Sequence, residues 1–136
     1  MKAETKYVAF NGAVFDDPEA AKQYETMMYL KTRYQDCKCA VNRISKLVRN
    51  NRIRIVYLIE QLASCNTIIR NQSSNEIDIF NAKTKRFKMR IELKLMIPGY
   101  INTKNLLREY NQKLSYYYNR IVMETKSQKR VNNLNT

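Results

Sequence analysis

Between Met27 and Ile69 the apolar positions step by three and four in turn: Met27, Leu30, Tyr34, Cys37, Val41, Ile44, Val48, Asn51, Ile55, Leu58, Leu62, Cys65 and Ile69. A helix turns once every 3.6 residues, so this rhythm lays one row of side chains along a single face, an a/d heptad seam held for about six repeats. Asn51 is its one frankly polar member. Neither glycine nor proline occurs between Pro18 and Pro98, so nothing punctuates the run. The pattern predicts a long coiled-coil-like helical region over 17–70, about 80 Å from end to end if unbroken. The alternative is two helices broken at Arg49-Asn50-Asn51-Arg52 and folded back on each other. The heptad phase passes through the asparagines without a slip, and one buried polar residue is a known way of fixing register, which favours continuity.

Ahead of this region, Asn11-Gly12 lies between Val8-Ala9-Phe10 and Ala13-Val14-Phe15. Both turn residues tolerate positive φ, so the spacing predicts a β-hairpin over 6–15 with a two-residue type I′ turn. Asp17-Pro18-Glu19 then supplies a capping oxygen, a proline suited to the first helical position and a negative charge at the positive end of the helix dipole. Asp16, three residues before Glu19, is the competing cap.

After the polar break Asn71-Gln72-Ser73-Ser74-Asn75 the pattern changes period. Ile77 and Ile79 alternate with Glu76 and Asp78, and Phe87, Met89, Ile91, Leu93 and Leu95 alternate with Arg86, Lys88, Arg90, Glu92 and Lys94. Period two predicts a second antiparallel hairpin over 76–97, one face apolar and one charged, ended by Pro98-Gly99. A final helix over 103–125 follows from the spacing of Leu107, Tyr110, Leu114, Tyr117 and Ile121, and a flexible tail over 127–136 from the polar composition there. The expected fold is a single α+β domain over 1–126, whose two hairpins pair into one small sheet. A C-terminal helix of about 23 residues is too short to cover the whole seam, which predicts self-association, with antiparallel packing keeping the cations Arg33 and Lys38 apart.

Charge narrows the class of partner. The 136 residues carry 25 Lys and Arg against 12 Asp and Glu, a net charge of +13, with 44% apolar content to build a core. Such a balance favours a polyanion: nucleic acid, a ribonucleoprotein or an acidic protein face. Twelve of the thirteen net charges fall in two segments. One, Lys31 to Arg54, includes Lys38, Arg43, Lys46, Arg49, Arg52 and Arg54; the other comprises Lys83, Lys85, Arg86, Lys88, Arg90 and Lys94. Strand alternation puts the second set on one face, making it the focused candidate surface, whereas the helical set forms a collar. Tyr116-Tyr117-Tyr118 beside Arg120 offers base stacking, against a reading in which Tyr117 belongs to the core.

Other chemistries find little support. The chain has three cysteines (Cys37, Cys39 and Cys65) and no histidine. An odd count without framework spacing fits reduced thiols, and the lack of histidine removes the usual zinc sites and Ser-His-Asp or Cys-His catalysis. No apolar run is long enough to span a bilayer, and Met1 to Phe10 lacks the apolar core of a signal peptide, which predicts a cytoplasmic protein away from membranes. Asp78 with Glu92-Leu93-Lys94 resembles the PD-(D/E)xK nuclease motif, in which carboxylates hold a divalent metal and the lysine assists the attacking water. The resemblance implies catalytic roles for Asp78, Glu92 and Lys94, although Ile77 stands where the motif has proline.

A second resemblance rests on Tyr7-Val8-Ala9-Phe10-Asn11-Gly12, Phe15, Asp16 and Ala20-Ala21 through Tyr24-Glu25. This opening resembles the hairpin-plus-helix start of small orphan proteins from bacteriophages and mobile elements, some of which are anti-CRISPR or other anti-defence inhibitors. It implies a non-enzymatic, cofactor-free inhibitor in the host bacterial cytoplasm. Such a protein binds nucleic acid or a nucleic-acid-bearing defence effector and blocks it sterically. A structural coiled-coil assembly protein is the remaining alternative.

Overall fold

The computed structural model of the chain describes residues 6–9 and 11–134, with side chains up to Arg130. Four elements follow in order: β1 (Tyr7–Val8), β2 (Val14–Phe15), α1 (Pro18–Arg70) and α2 (Glu76–Leu134). In coarse terms the α+β expectation holds, as two long helices and a two-stranded antiparallel sheet.

In the sheet, Tyr7 pairs with Phe15 and Val8 with Val14. Beyond them the Ala9 N–H donates to the Ala13 carbonyl at 2.8 Å, and the Gly12 N–H to the Ala9 carbonyl at 2.9 Å. Three residues, of which Phe10 lies outside those described, thus separate the paired alanines. The expected two-residue type I′ turn is therefore corrected to a three-residue loop with a glycine bulge. Gly12 alone among the described residues has positive φ, at 88°. Asn11 stays out of the left-handed region because its side chain is engaged: its Oδ1 accepts from the Ala13 N–H at 3.2 Å and its Nδ2 donates to the Tyr24 hydroxyl at 2.6 Å. With the Phe15 and Tyr24 rings 5.0 Å apart, these contacts tie the hairpin to the first turns of α1.

Asp17, not Asp16, caps α1: its Oδ1 accepts from the Glu19 N–H at 3.0 Å, with Pro18 at the first helical position. The helix continues without interruption through Asn50 and Asn51 to Arg70. All thirteen seam positions from Met27 to Ile69 are buried or half-buried, Asn51 among the latter.

The expected hairpin over 76–97 is helix. Asn75 ends the 71–75 linker and caps α2, its Oδ1 accepting from the Asp78 N–H at 2.8 Å, with Glu76 and Asp78 as first-turn acids. The alternation that suggested strands has a geometric origin. On a helix, residues two apart are separated by about 200°, so two opposed apolar rows read as period two. Ile79, Ala82, Met89, Leu93 and Met96 form the inner row, while Ile77, Phe80, Phe87, Ile91 and Leu95 lie on the exposed outside. The sheet therefore remains β1–β2 alone among the described residues. Pro98-Gly99 does not end the element either. Pro98 is exposed on α2, and the helix runs through it with one backbone hydrogen bond fewer. The helix expected over 103–125 is the distal part of α2, and residues 127–134 of the expected tail continue it. At 59 residues against 53 for α1, α2 removes the reason given for self-association, a helix too short to cover the seam.

The chain divides into two compact units, one of Asn42–Glu109 and one combining residues up to Val41 with those from Tyr110 onward. In the first, Leu58 and Cys65 of α1 pack with Ala82, Met89 and Leu93 of α2, supported by Ile55, Leu62, Ile69 and Met96. Lys85 reaches Gln61 and Arg52 reaches Tyr100, so the segments run antiparallel. In the second unit Tyr34 packs near Tyr118, ring centroids 6.3 Å apart, and Gln128 donates to the Gln23 carbonyl, again antiparallel.

Candidate polyanion-binding surface

Helical geometry rearranges the expected basic face. Lys83, Lys85, Arg86, Lys88, Arg90 and Lys94 share one side of a strand, but on α2 they spread around the axis. Lys85 and Arg86 turn toward α1, where Lys85 Nζ donates to Gln61 Oε1 at 3.0 Å and Arg86 donates to Asn66 Oδ1 at 3.1 Å. Lys83, Lys88, Arg90 and Lys94 are exposed, with Lys88 on the opposite flank from Arg90. The single focused surface expected of this set does not form.

The set read as a collar supplies a contiguous surface instead. Arg43, Lys46, Arg49 and Arg52 follow one another at i+3 on α1, the spacing that brings Cβ atoms to about 5–6 Å on a helix surface. All four are exposed, and they form an oblique ridge that at about 60° per step winds half-way round α1, from Arg43 on one flank of the seam across the back to Arg52 on the other, beside α2. No carboxylate occurs in the sequence between Asp36 and Glu60, so no acid of α1 interrupts the ridge. Arg52 is steadied by its Nε donating to the Tyr100 hydroxyl at 3.2 Å, and Lys104 lies 5.5 Å from the centre of that ring, adding a further cation. The step of three was legible in the sequence; grouping the charges by heptad position alone concealed it.

The remaining candidates fall on either side of this ridge. Arg54 is neutralised by Glu92 through two bonds, Nε to Oε1 at 2.8 Å and Nη2 to Oε2 at 3.0 Å. Hydrogen bonding from the guanidinium holds the Glu92 carboxyl below the usual carboxylate range. Lys38 is exposed on the other unit, with Arg33 lying 5.5 Å from the Tyr29 ring centre in that same unit. Of the tyrosine triplet, Tyr117 is half-buried at a seam position, and burial pushes its hydroxyl pKa up. Tyr116 and Tyr118 are exposed, but each already has a ring neighbour, Tyr117 and Tyr34 respectively.

The nuclease constellation loses its geometry with the strands. Asp78 and Glu92 lie fourteen residues apart on one helix, about 21 Å of rise, whereas ligands of a shared ion each approach within about 2–2.6 Å of it. Lys94, two residues beyond Glu92, points to nearly the opposite side. Among the described residues no cluster of His, Cys, Asp or Glu is placed to hold a metal, and Cys37, Cys39 and Cys65 are free thiols. No helix among the described residues is long and apolar enough to cross a membrane. No protein family, curated protein or solved structure matches the chain.

Proposed function

We propose that the protein is a non-enzymatic binding protein that docks on nucleic acid, or on a bacterial effector complex carrying nucleic acid, and blocks it by bulk. The ridge Arg43–Lys46–Arg49–Arg52 makes the contact. Within the unit Asn42–Glu109, the antiparallel packing of α1 on α2 stiffens the ridge. Inhibition of a host defence complex is the form suggested by the phage-like opening residues. One observation carries this reading: four exposed cations succeed one another at helical-neighbour spacing, with no carboxylate paired to any of them among the described residues. Lys83, Lys88, Arg90 and Lys94 of α2 add long-range attraction, while Lys85, Arg86 and Arg54 are held within the fold.

Four phosphate contacts correspond to a log–log salt slope near −3.6 on a duplex, so affinity is expected to fall roughly 150-fold between 50 and 200 mM salt. Fluorescence anisotropy with a labelled duplex and a labelled single strand measures this directly. Changing all four ridge residues to Glu should abolish binding at low salt, while the same change at Lys83, Lys88, Arg90 and Lys94 should weaken it less. Retained affinity in the ridge variant would reject the assignment.

A further inference from the structure

The outward row of α2 is unusual for a helix already packed on one side. Phe80 is 69% exposed, Phe87 67%, Ile91 45% and Leu95 76%. They step by seven, four and four, so they line up along the side of α2 turned away from α1. Single exposed apolar residues are ordinary, but an aligned row of four containing two phenylalanines forms a contiguous patch of the kind that marks an interaction surface. No side chain among the described residues covers it.

Charge and shape together select the occupant. Lys83 and Lys94 flank the row on one side and Lys88 on the other, all exposed and without a carboxylate partner among the described residues. A second copy laid on this row would bring lysine against lysine along both margins. The row is also about one side chain broad and steps by seven, four and four, so it presents a ridge that can pack between the apolar anchors of another helix. We propose that this face binds an amphipathic helix of a partner protein, with apolar anchors against Phe80, Phe87, Ile91 and Leu95 and Glu or Asp at its margins against Lys83, Lys88 and Lys94. Flanking charges of this kind set partner choice in helix pairs. From Phe80 to Leu95 the row spans about 22 Å, the length of roughly fifteen helical residues.

The probe is a synthetic helix of about 20 residues with Leu anchors at three-to-four spacing and Glu at the flanking positions, compared with one carrying Lys there. The Glu-flanked peptide should bind at least about tenfold tighter than its Lys counterpart, equivalent to about 1.4 kcal/mol. Phe80→Ser with Phe87→Ser should abolish that binding; both residues are exposed, so folding, followed by circular dichroism, should be preserved. The four-Glu ridge variant of α1 should retain peptide binding while losing nucleic acid, which separates this site from the proposed function. The proposal is overturned if the peptides bind equally or not at all. It is also overturned if the wild-type chain sediments as a dimer that Phe87→Ser dissociates, or if the phenylalanines serve instead to bind phosphatidylserine vesicles.

Discussion

Replacing Pro98 by alanine is expected to stabilise the protein by about 2 kcal/mol. Pro98 stands well inside α2, where its ring removes one backbone hydrogen bond and crowds the preceding turn, a cost of about 3 kcal/mol relative to alanine. Alanine gives up about 0.4–1 kcal/mol because it leaves the unfolded chain freer, so the helical term wins. The neighbouring Gly99→Ala should add up to about 1 kcal/mol, since a Cβ there meets no atom within 4 Å. Thr103 already donates its hydroxyl to the Gly99 carbonyl at 2.7 Å, a local bond that both substitutions leave in place. Urea unfolding should show a higher midpoint with an unchanged slope. A lower midpoint would mean that the proline and glycine serve a bend the fold needs.

Leu58→Ala should act in the opposite direction, destabilising by about 2–5 kcal/mol. Leu58 is 1% exposed and belongs to the cluster joining α1 to Ala82, Met89 and Leu93 of α2. The surrounding helices cannot easily collapse into the space it vacates, so the cavity adds to the lost transfer energy. Ile59, its neighbour in sequence and 54% exposed, is the control: Ile59→Ala should stay within about 0.5 kcal/mol. Equal losses at the two positions would contradict the placement of the seam.

The helix α1 was legible because its inner face is one regular apolar row, while its exposed apolar residues, Leu47, Ile53, Val56 and Ile59 among them, form no second row of that spacing. A single three-four row from Met27 to Ile69 gave its phase, Asp17-Pro18 its start, and an unbroken phase through Asn51 its continuity. In α2 the same periodicity was masked. Ile79, Met89 and Leu93 face inward while Ile77, Phe87, Ile91 and Leu95 face outward, and the two rows interleave into apparent alternation. Asn75, with acids at Glu76 and Asp78, was the local signal for a helix start, and the absence of glycine or proline from Glu76 to Ile97 left Asn81 without the glycine that a tight hairpin turn favours beside it. The candidate surface moved for the same reason. Assigning strands to 76–97 gathered its cations onto one face, whereas the ridge on α1 needed only the i+3 steps from Arg43 to Arg52.

The order in which the two helices pair follows from the reversal between them at 71–75. The bond from Lys85 to Gln61 closes 24 residues and that from Gln128 to Gln23 closes 105, a difference of about 1.3 kcal/mol in chain entropy. Contacts near the reversal are therefore cheaper to form first, and pairing should advance from there toward the termini. Pulse-labelled amide exchange during refolding should protect 55–69 and 79–96 before 23–41 and 110–128. Simultaneous protection would show that both units form in one step, with no zippering.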